Sequence, residues 1–309
     1  MHGGDAEKSV AFVISAFNPS PVVNSLIAEA SRQASIVIVV DDTGELRSGE
    51  NRLQAGAMAG NVVIIEHARN LGIAAALNRG IREALGVGAD YVLTFDQDTT
   101  LSVGFVEHAL EALRRRQALS PTLMGAAPRT VNGLPYAALH AHGDDRCSLE
   151  VIQSGLLLDS SIFMTIGFFR EDFFIDGVEA DFFLRMHAAG LHCMLIGDMD
   201  LAHELGSPRP ITVFGRSITT NNHSSLRRYF ITRNRLVLLR ESGRAEPQWA
   251  RVVRRRLLRQ SILALFEAEG ARKGRLMVLG AVHSAIGRSG PHGRRPRPTV
   301  RRDSGSPNV

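Results

Sequence analysis

Ala89-Asp90-Tyr91-Val92-Leu93-Thr94-Phe95-Asp96-Gln97-Asp98 decides the fold. Its aromatic and β-branched residues read as a strand apolar on both faces, closed by two carboxylates. Three similar runs precede it. Val10–Ser15 ends at the turn signal Asn18-Pro19, Ser35–Val40 ends on Asp41-Asp42-Thr43-Gly44, and Asn61–Ile65 is a third strand. Helical stretches alternate with them. Pro21–Gln33 carries an apolar stripe of helical period through Val22, Val23, Leu26, Ile27 and Ala30, and Ala74–Leu85 and Phe105–Gln117 follow. Strands that alternate with helices and are apolar on both faces predict an α/β chain with a mostly parallel sheet covered on both sides. Ligands of such sheets sit beyond the carboxyl ends of the strands, where Asp41, Asp42, Asp96 and Asp98 all fall. For any one of these acids taken alone, termination of a strand and opening of a turn is the simpler reading.

The chain has 309 residues, 44% hydrophobic, enough for one large domain with a smaller appendage. The start of the chain carries no apolar signal region, and no uninterrupted apolar run reaches about 18 residues, so neither export nor a membrane span is expected. Cys147 and Cys193 are too few for a disulfide framework and lack metal-site spacing; they read as buried thiols of a reducing compartment. Charge is uneven. Residues 240–309 hold 16 Lys and Arg against 5 Asp and Glu, whereas 1–239 hold 20 against 26. A basic tail on a mildly acidic domain points to an anionic surface. Nucleic acid is not favoured, because zinc-finger spacing and an aromatic-basic RNA motif are both missing from the sequence.

Two carboxylates at i and i+2 of extended backbone project to the same side, so Asp96 and Asp98 could hold one hard cation, Mg²⁺ or Mn²⁺, from one edge. Asp-x-Asp alone is a weak signal. Asn70-Leu71-Gly72-Ile73-Ala74-Ala75-Ala76-Leu77-Asn78-Arg79-Gly80 is more specific, since small residues crowd a helix start just after a strand. Their lack of bulk either brings backbone N–H groups near an anionic ligand or packs the helix tightly on the sheet. Thr130–Cys147 reads as a loop, and its His140, His142, Asp144 and Asp145 read as solvated rather than metal-binding. Ser154–Leu158 is strand-like, Phe173–Asp176 resumes regular structure, and a helix runs from about Glu179 to Ala189. Gln248–Phe266 forms a helix with Trp249, Val253, Leu257, Ile262 and Leu265 roughly on one face and arginines elsewhere. That face either docks on the domain or lies in a membrane interface.

Asn-x-Gly-x-x-x-Ala-x-Asn-x-Gly at 70–80, Asp96-x-Asp98, Asn18-Pro19 and Asp41-Asp42 together resemble the donor-binding region of family 2 glycosyltransferases. Ser154-Gly155, Ile166–Asp176 and Arg228–Asn234 look most like the bacterial rhamnosyltransferase branch. The resemblance covers about Val10 to Arg240 and fades towards Gly290. It implies a GT-A fold, a Rossmann-like mixed sheet over residues 1–240, followed by a basic helical extension over 241–287 and a disordered tail over 288–309. It implies an inverting, metal-dependent transfer from a nucleoside diphosphate sugar, dTDP-L-rhamnose on branch likeness, to a saccharide or lipid-linked acceptor in cell-surface polysaccharide synthesis. Other hexosyl or galactofuranosyl donors remain open.

The resemblance also implies roles for named residues. Asn18, Asp41, Asn70, Gly72, Asn78 and Asp96 would line the nucleotide. Asp96, Asp98 and His203 would hold the metal. Glu179 would be the base, with Asp181 contacting the acceptor or orienting its neighbours and Asp176 as a further candidate. The order Glu179-Ala180-Asp181 is swapped relative to the family's usual acidic pair, so a degenerate nucleotide-binding scaffold is the non-enzyme alternative. A sugar nucleotidyltransferase would need a Gly-rich loop after the first strand, where this chain has Ser15–Pro19; a dinucleotide oxidoreductase would need Gly-x-Gly-x-x-Gly after a strand. The expected setting is the cytoplasm, peripheral to the inner face of the membrane.

Overall fold

The computed structural model describes residues 8–46, 53, 60–135, 151–203, 209–213 and 215–291. Val10–Ala16 (β1), Ile36–Asp41 (β2), Val62–Glu66 (β3) and Tyr91–Asp96 (β4) are the expected strands. They lie parallel in the order β3-β2-β1-β4. Val23–Gln33 (α1), Ile73–Gly86 (α2) and Phe105–Gln117 (α3) are the helices between and after them. In register, Ala16 pairs with Asp41, Asp41 with Glu66, and Ser15 with Asp96, so the carboxyl ends of all four strands reach one rim.

Beyond β4 the sheet becomes mixed. The elements are Thr99–Thr100 (β5), Leu123–Val131 (β6), Leu134–Pro135 (β7), Leu156–Asp159 (β8) and His192–His203 (β9). The order continues β4-β8-β6-β9-β5, with β7 folded back on β6. Strand β8 runs against β4 and β6, whereas β6 and β9 are parallel. This is the mostly parallel mixed sheet expected from the sequence, and it carries a core on each face. Ala11, Val13, Ile38 and Val40 face α2 together with Phe182, Phe183 and Trp249; Phe12, Ile14, Val37 and Val39 face Leu26, Phe105 and Leu113. Alternate residues of one strand enter opposite cores, as a pleat of period two demands.

After β8 come Ile162–Thr165 (α4), a 3-10 turn at Glu171–Phe173 and Val178–Ala188 (α5). The Phe173–Asp176 stretch is thus a turn with Phe174 and Asp176 at positive φ (65° and 62°), and it forms no strand. Beyond β9, Arg209–Val213 (β10) and Arg216–Thr220 (β11) form a hairpin. Ser225–Ser242 (α6), Pro247–Ala264 (α7) and Gly270–Ala285 (α8) complete the described chain. The boundary expected at residue 240 falls inside α6, and Trp249, Ala250 and Val253 of α7 join the core of the sheet. The expected single apolar face of α7 divides. Trp249 and Val253 are buried, whereas Ile262 and Leu265 are exposed.

Thr130, Val131, Leu134 and Pro135 of the expected loop are in strands; His140, His142, Asp144, Asp145 and Cys147 lie outside the described residues, as do 292–309 of the expected disordered tail. Cys193 is buried as a free thiol. No helix among the described residues is long and apolar enough to cross a membrane.

Candidate active site

Asp96 ends β4 at the rim, and Asp98 follows two residues later in the turn to β5. The two-residue strand β5 then pairs with the end of β9, Thr99 opposite His203. That pairing carries an imidazole from 104 residues downstream to the two carboxylates. His203 Nε2 lies 4.0 Å from Asp96 Oδ2, and Nδ1 lies 3.5 Å from Asp98 Oδ1. One donor atom from each of the three residues lies within 4.8 Å of the others. Two hard carboxylates and an imidazole are a fitting donor set for Mn²⁺ or Mg²⁺.

The surrounding bonds fix this group. His203 Nδ1 is 2.9 Å from Thr99 Oγ1, which is 2.7 Å from Ser154 Oγ; that hydroxyl accepts from the Asp96 amide at 3.1 Å. The Gln153 amide donates to Asp96 Oδ1. Asn132 clasps the backbone of His203 from the other side, donating to its carbonyl at 2.6 Å and accepting from its amide at 3.1 Å. Burial, then the charges of Asp98 and Glu179, push the Asp96 carboxyl up to about 7, while the Gln153 amide opposes them. The rim is therefore short of positive charge. Glu179, in the first turn of α5, is near enough for its charge to act on Asp96.

Glu179 is partly buried, and burial raises its carboxyl above the usual range, with Asp176 adding to the shift and Arg235 and Arg227 opposing it. Asp176 is held by Arg227, whose Nε lies 3.1 and 3.2 Å from its two oxygens and whose Nη2 lies 3.1 Å from Oδ1. Burial lowers Arg227, but the carboxylates of Asp176, Glu179 and Asp96 outweigh it and raise the guanidinium. Arg227 is thus a cation facing the acids of the cleft. No periodic signal in the sequence marks it. Asp181 points elsewhere. It is buried, with Arg185 at 2.8 Å and Arg170 at 3.5 Å.

The turn before α5 is clamped by α6. Asn234 Nδ2 donates to the carbonyls of Phe173, Ile175 and Asp176 at 3.1, 2.9 and 2.6 Å. Arg233, fully buried, donates to the carbonyls of Asp172 and Phe173 at 3.0 Å and of Gly290 at 2.6 Å. Positive φ at Phe174 and Asp176 costs of order 1–3 kcal/mol each, which these bonds must offset. The Arg233-Asn234 pair was visible in the sequence only as part of a resemblance.

The nucleotide-side residues divide. Asp41 is buried at the end of β2 and accepts from the Thr43 amide at 2.9 Å; Thr43 Oγ1 accepts from the amide of the exposed Asn18 at 2.8 Å. Asp42 accepts from the amides of Leu71 and Gly72 at 2.8 and 2.7 Å, and Asn70 Oδ1 accepts from Gly72 at 3.0 Å. The Ile73 amide donates to Phe174 O at 2.9 Å. The first amides of α2 are therefore engaged by the protein itself. A Cβ on Gly72, whose φ is 94°, would stand 2.4 Å from Phe174 O, and one on Gly80 2.5 Å from Val13. The small residues serve close packing of α2 on the sheet and on the Phe174 turn. Asn78 lies away from the cleft: it is buried, accepts from the Phe169 amide and donates to Phe169 O and Glu171.

A parallel sheet switching to mixed order, with an Asp-x-Asp and a histidine at its rim, is the arrangement of the GT-A fold. The glycosyl transferase family 2 profile matches residues 11–130. The dTDP-rhamnosyl transferase RfbF of Shigella flexneri is 29% identical over 242 residues, 74% of this chain and 79% of that protein. Among solved structures, S. aureus TarS 1-349 superposes with a TM-score of 0.50 at 12% identity, covering 90% of this chain and 92% of that one. GalNAc-T7 with UDP, GalNAc and Mn²⁺ gives 0.52 at 13% identity, covering 75% and 48%. Residues 11–130 match the family 2 profile, and that match together with the Shigella relative supports a glycosyltransferase.

Proposed function

We propose that this enzyme transfers L-rhamnose from dTDP-L-rhamnose, with inversion and with a divalent cation, to a saccharide or lipid-linked acceptor. The observation that carries the reading is the Asp96, Asp98 and His203 cluster with Glu179 in electrostatic reach of it. The name of the Shigella relative and the presence of UDP and Mn²⁺ in the GalNAc-T7 structure support the donor class and the metal. A bound Mg²⁺ or Mn²⁺ would offset charge developing on the departing diphosphate.

Asp98 and His203, with Asp96, would hold that ion. Asp41 and the Asn70–Gly72 turn border the nucleotide. Glu179 accepts the proton of the acceptor hydroxyl, and its burial makes it a stronger base than an exposed carboxylate. Arg227 pairs with Asp176 and opposes the upward shift of Glu179, while Arg233 and Asn234 hold the turn that leads into α5. The acceptor oxygen attacks opposite the leaving group in a single displacement. The test is transfer and hydrolysis with a panel of dTDP- and UDP-sugars, with added Mn²⁺ and with chelator. Metal-dependent turnover of dTDP-L-rhamnose, lost in Asp98→Ala, is expected. Undiminished turnover in that variant would refute the metal assignment, and preference for another nucleotide-sugar would refute the donor.

A further inference from the structure

Among the described residues, 17 large apolar side chains are exposed; eight of them fall within α7, α8 and the turn between them, and a ninth, Ile286, directly follows α8. On α7 these include Leu258 (64% exposed), Ile262 and, just beyond its end, Leu265 and Phe266; on α8 they are Val278 (65% exposed), Leu279, Val282 and, one residue beyond, Ile286. The spacings of four, three, four and four residues put each set on one helical stripe. Both stripes face away from the protein. The inner face of α7 is Trp249, Ala250, Val253 and Ala264, and that of α8 is Lys273, Met277, Gly280 and Ser284, with Gly280 against Tyr229 O. The stripes meet where Leu265 reaches Gly274: a Cβ there would stand 3.0 Å from Leu265 Cδ2.

Charge frames this apolar surface with one sign. Arg251, Arg254, Arg255, Arg259, Arg272 and Arg275 are exposed on the same two helices. The acids of 247–286 are Glu267 and Glu269, and both are engaged by cations of the hairpin: Glu267 is buried against Lys273, and Glu269 lies 3.3 Å from Arg272. An outward stripe of large aliphatic and aromatic residues rimmed by guanidinium groups matches a bilayer surface, whose acyl boundary takes the former and whose anionic headgroups take the latter. A second copy of the chain would bring the same positive rim against itself.

We propose that the α7–α8 hairpin seats this enzyme on a membrane surface containing anionic lipid. The apolar stripes contain none of the acids assigned to the cleft, so the proposal stands whatever sugar is transferred. The experiment is co-sedimentation of the full chain with vesicles of phosphatidylcholine alone and of phosphatidylcholine with phosphatidylglycerol, at low and high salt. Light scattering after size exclusion is run in parallel. The parent should bind the phosphatidylglycerol vesicles in preference and release from them with salt. Ile262→Ser with Val282→Ser, and separately Arg255→Gln with Arg259→Gln, should weaken binding, the latter by about fivefold per charge removed. Both variants should keep the parent's circular dichroism and Tm, because none of the four side chains enters the core. Equal binding to neutral vesicles, or variants that bind like the parent, would overturn the proposal. So would a dimer of the parent that Ile262→Ser with Val282→Ser converts to monomer, which would make a second copy the occupant.

Discussion

Glu267 should be worth more to stability than its single side chain suggests. It sits in the turn between α7 and α8 with its side chain fully buried, and Arg228 of α6 and Lys273 of α8 each lie 2.8 Å from one of its oxygens, themselves 5% and 3% exposed. Lys273 also donates to Asn222 Oδ1 at 2.8 Å. Glu267→Gln would leave two buried cations against a neutral amide. Removing one partner of a buried ion pair costs about 3–5 kcal/mol, because the remaining charge is left uncompensated. At roughly 2 °C per kcal/mol for a chain of this size, Tm should fall by about 6–10 °C. Glu111→Gln supplies the control. Its pair with Arg115 is 66% and 70% exposed and is worth under about 0.5 kcal/mol. Replacing all three residues (Glu267→Leu, Arg228→Met, Lys273→Met) should restore most of the loss, since an apolar set of similar volume needs no charge balance.

Acid gives a second reading of the same site. Burial pushes the Glu267 carboxyl up, but Lys273 and Arg228 outweigh it and hold it below the ordinary value of 4.5. Its contribution is thus present in full above that value and lost as pH falls through the lower folded value. Scanning calorimetry of parent and variants across pH checks both statements. A Glu267→Gln protein melting within about 1 °C of the parent at neutral pH would refute the reasoning.

Glu179→Gln should lower kcat by about 10²–10⁴-fold while leaving nucleotide affinity near the parent's, read by steady-state kinetics and calorimetric binding. Gly72→Ala should destabilise the protein and weaken donor binding together, because its Cβ would strike Phe174 where φ is 94°; unchanged Tm would contradict the close packing. Asn234→Asp should lower kcat at least as much as Asn234→Ala, since the aspartate keeps the volume but sets carboxylate oxygens against three carbonyls in place of donors; parent-like kcat in both variants would remove the turn from any positioning role. Asp90 is held below its ordinary value by Lys8 first and the Ser9 amide next, so its stabilisation should be present above pH 3.8 and fade as pH falls beyond it. Asp90→Asn should then flatten the acid limb of a Tm–pH profile.

The first half of the fold is legible in the sequence because it is regular. β1, β2, β3 and β4 are unbroken apolar runs, and α1, α2 and α3 have clear helical period. The second half hides its elements. β6 contains Gly125 and Pro128, which read as breakers, yet Gly125 is required where Leu157 and Leu158 approach, and Pro128 sits at a register shift. β9 mixes Gly197, Asp198 and Asp200 into its run, with several positions exposed. α6 has little amphipathic period because Arg228, Arg233 and Asn234 are buried alongside Tyr229 and Phe230. At the site, carboxylates on strand ends could be read directly, whereas the roles of Arg227, Asn234 and Thr99 depend on contacts across 51 to 104 residues.

The pairing of Thr99 with His203 has a consequence for how little of the chain can work alone. The segment matched by the family profile ends at residue 130, so it contains both aspartates and stops short of the imidazole and of the Asn132 that braces it. A truncated protein with an intact nucleotide-side half would offer any ion two oxygens on an open hinge of chain. Competence would arrive only when the last parallel strand zips into place, late along the polypeptide, which makes the completed sheet its own quality check.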